Sequence, residues 1–139
     1  RSNLKWRGTF YALAAPRRCF RTPQPTPHCS GRRSNPTLLI GYGAYGFTFE
    51  AFYDPRSLAW LERGGVIAFA NVRGSGAYGD PWYRAGFKTT KPNTWKDGIA
   101  CARWLIEQRY TSPATLGIWG TSAGGIFVGR AVTAVPLSV

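Results

Sequence analysis

Apolar residues in this chain fall into short, nearly unbroken runs separated by amphipathic stretches. Residues 37–40 (Thr-Leu-Leu-Ile) and 65–72 (Gly-Val-Ile-Ala-Phe-Ala-Asn-Val) are such runs, and 115–119 (Thr-Leu-Gly-Ile-Trp) is a third. Runs of this length without polar alternation predict strands covered on both faces, as in a parallel sheet. Between the first two, residues 55–63 predict a short helix, with Asp54 placed to cap it, Pro55 in its first turn and Gly64 just past its end. Residues 94–108 predict the longest helix. Thr94 and Asp97 resemble a capping box there, and Trp95, Ile99, Ala102 and Ile106 recur on one face. A last helix is expected from Gly124 or Gly125 to about Ala134. Strands alternating with helices predict an α/β architecture with a mainly parallel sheet, and no internal repeat is evident.

The N-terminal stretch has a different character. Residues 15–36 contain five prolines, many arginines and no apolar period, so they are expected to be irregular, unable to bury enough surface to offset their ordering entropy. The chain is therefore divided into a basic, Pro/Arg-rich, irregular segment over 1–35 and an α/β unit over 36–139. Charge follows the same division. Of the net +12, residues 1–35 carry +8, through Arg1, Lys5, Arg7, Arg17, Arg18, Arg21, Arg32 and Arg33 with no acid, and the rest carries only +4. A dedicated nucleic-acid domain would spread its charge over the folded part, so specific nucleic-acid binding is not expected; any contact would run through the N-terminal arginines and depend steeply on salt.

No apolar run is long enough to span a bilayer, and no secretory signal is visible, which leaves localisation open between cytoplasm and periplasm. Three cysteines, Cys19, Cys29 and Cys101, are an odd number, which argues against a disulfide framework. His28, Cys29 and Cys19 lack the spacing of metal ligands, so no metal is expected.

The candidate chemistry lies at 120–124, where Gly-Thr-Ser-Ala-Gly puts Ser122 inside G-x-S-x-G between a strand and a helix. A serine on a sharp strand-to-helix turn is held in a strained conformation, and side chains two residues to either side would strike neighbouring backbone. Gly120 and Gly124 remove that collision. The helix that follows directs its N-terminal amides at the place where an oxyanion would form. Residues 41–46 and 74–79 both match G-x-G-x-x-G after a strand. The first is not followed by a helix, Pro81 follows the second closely, and Asp97 opens a helix instead of ending a strand. Both are therefore read as tight loops, and no cofactor is expected.

Pro36-Thr37-Leu38-Leu39-Ile40-Gly41-Tyr42-Gly43, the stretch from Gly64-Gly65-Val66 to Asn71-Val72-Arg73-Gly74, and Gly120-Thr121-Ser122-Ala123-Gly124-Gly125 resemble, in order and spacing, the catalytic domain of prolyl oligopeptidase family serine peptidases. Tyr110-Thr111-Ser112-Pro113 adds a likeness to the bacterial oligopeptidases of that family. The resemblance implies an α/β-hydrolase fold, a peptide substrate and Ser122 as nucleophile. It further implies an oxyanion hole formed by the Tyr42 hydroxyl and the Ala123 N–H, with Tyr45 as an aromatic near the substrate pocket.

This chain also departs from the family pattern. Ser75 and Ala77 stand where family members show a glycine and a glutamate. The family has paired strands leading into the domain, whereas residues 1–34 read like text translated in a shifted frame. In this fold the triad runs Ser, then Asp or Glu, then His, yet the 17 residues after Ser122 hold neither acid nor histidine. The one histidine, His28, lies in the irregular segment, and no β-propeller accompanies the domain. The expectation is a fragment, truncated after the nucleophile helix and inactive alone. The alternatives are a non-catalytic remnant with a basic N-terminal segment, or an esterase of small substrates. Oligomeric state is not legible.

Overall fold

Four strands form one sheet in the order β1-β3-β2-β4, with β1 at Thr9–Ala14, β2 at Thr37–Gly41, β3 at Val66–Asn71 and β4 at Leu116–Trp119. In this computed structural model the described residues are 9–14 (backbone only), 35–50, 52 and 54–135. β2 runs parallel to both β3 and β4, and β1 runs antiparallel to β3. The helices are α1 (Leu58–Glu62), α2 (Asp80–Arg84), α3 (Pro92–Glu107) and α4 (Gly124–Ala134). The expected α/β arrangement with a mainly parallel sheet is present.

Side chains of the two central strands alternate between faces, as the pleat requires. Leu39, Ala68, Ala70 and Val72 pack with Cys101 and Leu105 of α3 and Phe127 of α4, while Ile40, Ile67 and Phe69 form a second cluster with Leu38, Phe49 and Leu61. Burial among these apolar groups, with Asp97 nearby, pushes the Cys101 thiol far above its usual range and keeps it in the uncharged form. Phe127 is fully buried and fills the space that Gly41 of β2 and Gly98 of α3 leave open; a Cβ on Gly41 would lie 2.6 Å from its ring.

Several expectations are corrected. The basic segment is not irregular throughout, because Thr-Phe-Tyr-Ala-Leu-Ala at 9–14 forms β1, paired with β3 from Thr9↔Asn71 to Ala14↔Val66. Those six residues are apolar or strand-prone, and their arginine- and proline-rich surroundings masked the signal. Residues 1–8 and 15–34, with Cys19, His28 and Cys29, lie outside the described residues. The helix expected over 55–63 is a 3₁₀ turn, Pro55–Ser57, continued by α1; the Asp54 carboxylate caps it by accepting from the Arg56 amide at 3.1 Å.

α3 starts at Pro92, two residues before the expected Thr94, because proline is preorganised for a first helical turn. Thr94 and Asp97 form no capping box; both point inward to the loop after β3. The buried stripe of α3 is Thr94, Asp97, Gly98, Cys101 and Leu105. The expected face lies on its flank, where Ile99, Ala102 and Ile106 line an apolar cleft of about 290 Å³ between α3, β4 and α4, and Trp95 stacks under Arg130 at 5.2 Å. Hydrophobicity misplaces the stripe because its innermost positions are a paired carboxylate and a glycine that makes room for Phe127.

Candidate active site

β4 ends at Trp119, α4 begins at Gly124, and four residues make the turn between them. Ser122 sits on this turn, exposed, with φ +51°. A non-glycine residue in this left-handed region carries strain, and the surroundings hold it there. A Cβ on Gly120 would lie 2.7 Å from the Gly124 carbonyl oxygen and 2.8 Å from that of Gly41. One on Gly124 would lie 2.9 Å from the Gly41 oxygen and 3.3 Å from Tyr42 Cδ2. The two glycines thus let the turn stack directly on the end of β2. Gly125 has open space around it.

The amides of this turn divide into two kinds. Gly124 N–H donates to Thr121 O at 2.7 Å, Gly125 N–H to Ser122 O at 2.9 Å and Ile126 N–H to Ala123 O at 3.2 Å, closing the first turn of α4 on itself. The Ala123 N–H has no acceptor among the described residues. Of the amides from Ala123 to Ile126, expected to face an anion collectively, only that of Ala123 thus lacks an acceptor among the described residues; before the helix, those of Thr121 and Ser122 lack one too.

Tyr42 follows β2 directly and is half-buried, its ring lying against the Gly124 backbone and packed edge-on to Phe47 at a centroid distance of 5.4 Å. No described residue hydrogen-bonds its hydroxyl. The structure thus sets Tyr42 against Gly124, the residue that follows Ser122 and Ala123 at the start of α4. Tyr45, at φ +54°, is 79% exposed, with its ring 6.4 Å from that of Tyr42.

The two glycine-rich loops hold each other. Gly46 N–H donates to Gly74 O at 3.1 Å, and a Cβ on Gly76 would lie 2.6 Å from the Gly46 oxygen. Gly43, at φ +65°, is wedged against Thr94 and Val72, where only a hydrogen fits. Gly43, Gly74 and Gly76 serve close packing of loop on loop. Within the second loop, Ser75 is buried and its hydroxyl lacks a partner, and Ala77 is half-buried. Among the described residues no cluster of three metal-ligating side chains occurs, and no helix is long and apolar enough to cross a membrane.

The start of α3 ties both loops down, which sequence reasoning missed. Asp97, 3% exposed, accepts from Arg73 three times: from Nη2 at 2.6 Å, from Nε at 2.8 Å and from the backbone N–H at 3.0 Å. This bidentate contact holds the Arg73 guanidinium in its charged form more firmly than usual. Thr94 Oγ1 donates to Arg73 O at 2.8 Å, and Lys91 Nζ donates to Gly43 O at 2.5 Å. The available signal was the spacing of Lys91, Thr94 and Asp97, three residues apart on one side of a helix start. Asp97→Asn is expected to cost about 1.5–3 kcal/mol, the worth of hydrogen bonds to a charged partner, read as a lower urea midpoint at unchanged slope.

Comparison with known proteins places the chain. The sequence profile of the prolyl oligopeptidase family matches residues 52–136, which include Ser122 and Ala123. Protease 2 of Moraxella lacunata is 41% identical over 112 residues, 78% of this chain and 16% of the relative. The prolyl endopeptidase of Elizabethkingia meningoseptica is 37% identical over 102 residues, 73% of this chain and 14% of the relative. The chain thus spans about a sixth of the length of these relatives. The structure of oligopeptidase B from Leishmania major superposes with a TM-score of 0.73 at 29% identity, over 94% of this chain and 18% of that one. The sheet and helices described above are part of the α/β-hydrolase fold that such structures share. This chain belongs to the prolyl oligopeptidase family, whose members are serine peptidases.

Proposed function

We propose that Ser122 is the nucleophile of a serine peptidase site, with the Ala123 N–H and the Tyr42 hydroxyl as its oxyanion donors. The observation that carries this reading is the strained Ser122 on its glycine-stacked turn, with the unused Ala123 N–H beside it and Tyr42 across Gly124. Ser122 Oγ attacks the peptide carbonyl carbon while a base takes its proton. The carbonyl oxygen becomes an oxyanion between the two donors. Collapse expels the amine, which takes the proton back, and leaves an ester on Ser122 that water hydrolyses by the same route. The unbonded amide and hydroxyl suit this task because neither must break an internal bond to receive the charge.

The base and the acid that orients it are not among residues 123–139. In a hybrid with the Moraxella lacunata Protease 2 they would come from the Protease 2 part, since this chain spans only 16% of that relative. An unassisted serine hydroxyl is a poor nucleophile at neutral pH, so the 139-residue chain is expected to show no Ser122-dependent turnover of chromogenic peptides or esters. A hybrid in which residues 36–134 replace the matching segment of the Moraxella lacunata Protease 2 is expected to cleave peptides. Turnover by the 139-residue chain that disappears in Ser122→Ala would contradict the assignment and make His28 the first base to test.

A further inference from the structure

We propose that Lys91 is a positioning residue for Tyr42: from the start of α3 its ammonium clamps the Gly43 carbonyl and so fixes the loop that carries the tyrosine beside the Ser122 turn. This inference rests on the reading of Tyr42 as an oxyanion donor. The contact joins residues 48 apart in sequence at 2.5 Å. Lys91 is half-buried, and no carboxylate lies within ion-pair distance of it among the described residues. Burial lowers its pKa without a neighbouring charge to offset the effect. A cation kept in such a place, with a carbonyl as its partner, contributes little to stability, since a methionine would fill the same path without the cost of desolvation.

The position of the clamp gives it a purpose. Gly41, on one side of Tyr42, is pinned against the Phe127 ring. Gly43, on the other side, is enclosed by Thr94, Val72 and the backbone of the second loop, and its carbonyl is the group that Lys91 holds. With both neighbours fixed, the Tyr42 backbone is held in place while its ring packs across Gly124. Release of the Gly43 carbonyl would loosen the loop from Tyr42 to Gly46, whose other ties are the packing of Gly43 against Thr94 and Val72 and the bridge between Gly46 and Ser75, with its Gly46 N–H to Gly74 O hydrogen bond.

The test compares Lys91→Met, which keeps the stem and loses the donor, with Lys91→Arg, which keeps a cationic donor. In the hybrid peptidase Lys91→Met is expected to lower kcat about 10- to 100-fold, with KM within about twofold, as for a displaced catalytic group; Lys91→Arg is expected to recover most of it. In the 139-residue chain Lys91→Met is expected to speed amide exchange at Gly46 and Phe47, whose hydrogen bonds close the loop, and to leave β3 protected. Unchanged kcat together with unchanged loop exchange would overturn the proposal. Loss of β3 protection would overturn it too, by showing a general role in stability. Should the hybrid bearing Lys91 be inactive, the peptidase reading fails, and the exchange comparison alone decides the clamp.

Discussion

Phe127→Ala is expected to lower the unfolding free energy by about 3–5 kcal/mol, the range for removing a buried aromatic, with the result near the upper end. The ring is fully buried between β2 and α3, in the space that Gly41 and Gly98 leave open and in one cluster with Leu39, Cys101 and Leu105. Gly41 and Gly98 have no side chains to lean into the space left behind, so on those two sides the cavity can close only by moving backbone. The loss is also expected to reach the proposed site, since Phe127 packs α4 against the end of β2 and the Ser122 turn leads directly into α4. The reciprocal variant, Gly98→Ala, places a methyl group against the ring and is expected to be destabilising by overpacking. Combining it with Phe127→Leu should recover part of the loss, a non-additivity that a double-mutant cycle measures. Additive losses would show that the two positions do not share one space.

Gly124→Ala is expected to lower kcat/KM of the hybrid peptidase by about 100-fold, whereas Gly125→Ala is expected to leave it within about threefold. The two glycines are adjacent and the substitution is the same, so composition and helix propensity cannot separate them. Surroundings do: a methyl group at Gly124 meets the Gly41 carbonyl oxygen at 2.9 Å and the Tyr42 ring at 3.3 Å, while one at Gly125 meets nothing within 4 Å. Relief of the first clash must move either the Ser122 turn or Tyr42, and both are needed for the proposed chemistry. Equal tolerance at the two positions would mean that the turn does not rest on β2 as described.

The parts of this fold that could be read from the chain are those encoded by neighbours in sequence. The apolar runs gave β2, β3 and β4, Asp54 with Pro55 and Gly64 bracketed the first helix, and G-x-S-x-G located the turn. The parts that could not be read depend on distant partners. Asp97 looked like a helix cap because its true partner, Arg73, lies 24 residues away, and Lys91 gave no sign of Gly43, 48 residues away. The buried stripe of α3 was displaced because a charged residue and a glycine occupy its centre, and periodicity counts neither as core. β1 was hidden by the arginines and prolines around it. At the site itself, a helix N-terminus suggested several open amides, and only the pattern of hydrogen bonds shows that those of Gly124, Gly125 and Ile126 are closed on the turn while that of Ala123 is not.

The most direct measurement of the central claim is peptide mapping of the hybrid peptidase after inactivation by a fluorophosphonate. The reagent esterifies an activated serine, expels fluoride and leaves a phosphonyl group whose oxygen occupies the oxyanion site. The account predicts a single stoichiometric adduct on Ser122, complete loss of peptide hydrolysis in step with labelling, and neither labelling nor activity in Ser122→Ala, where loss of the nucleophile should cost about 10⁶ in kcat. An active hybrid labelled at another residue, or one that still turns over peptide with Ser122→Ala, would contradict it.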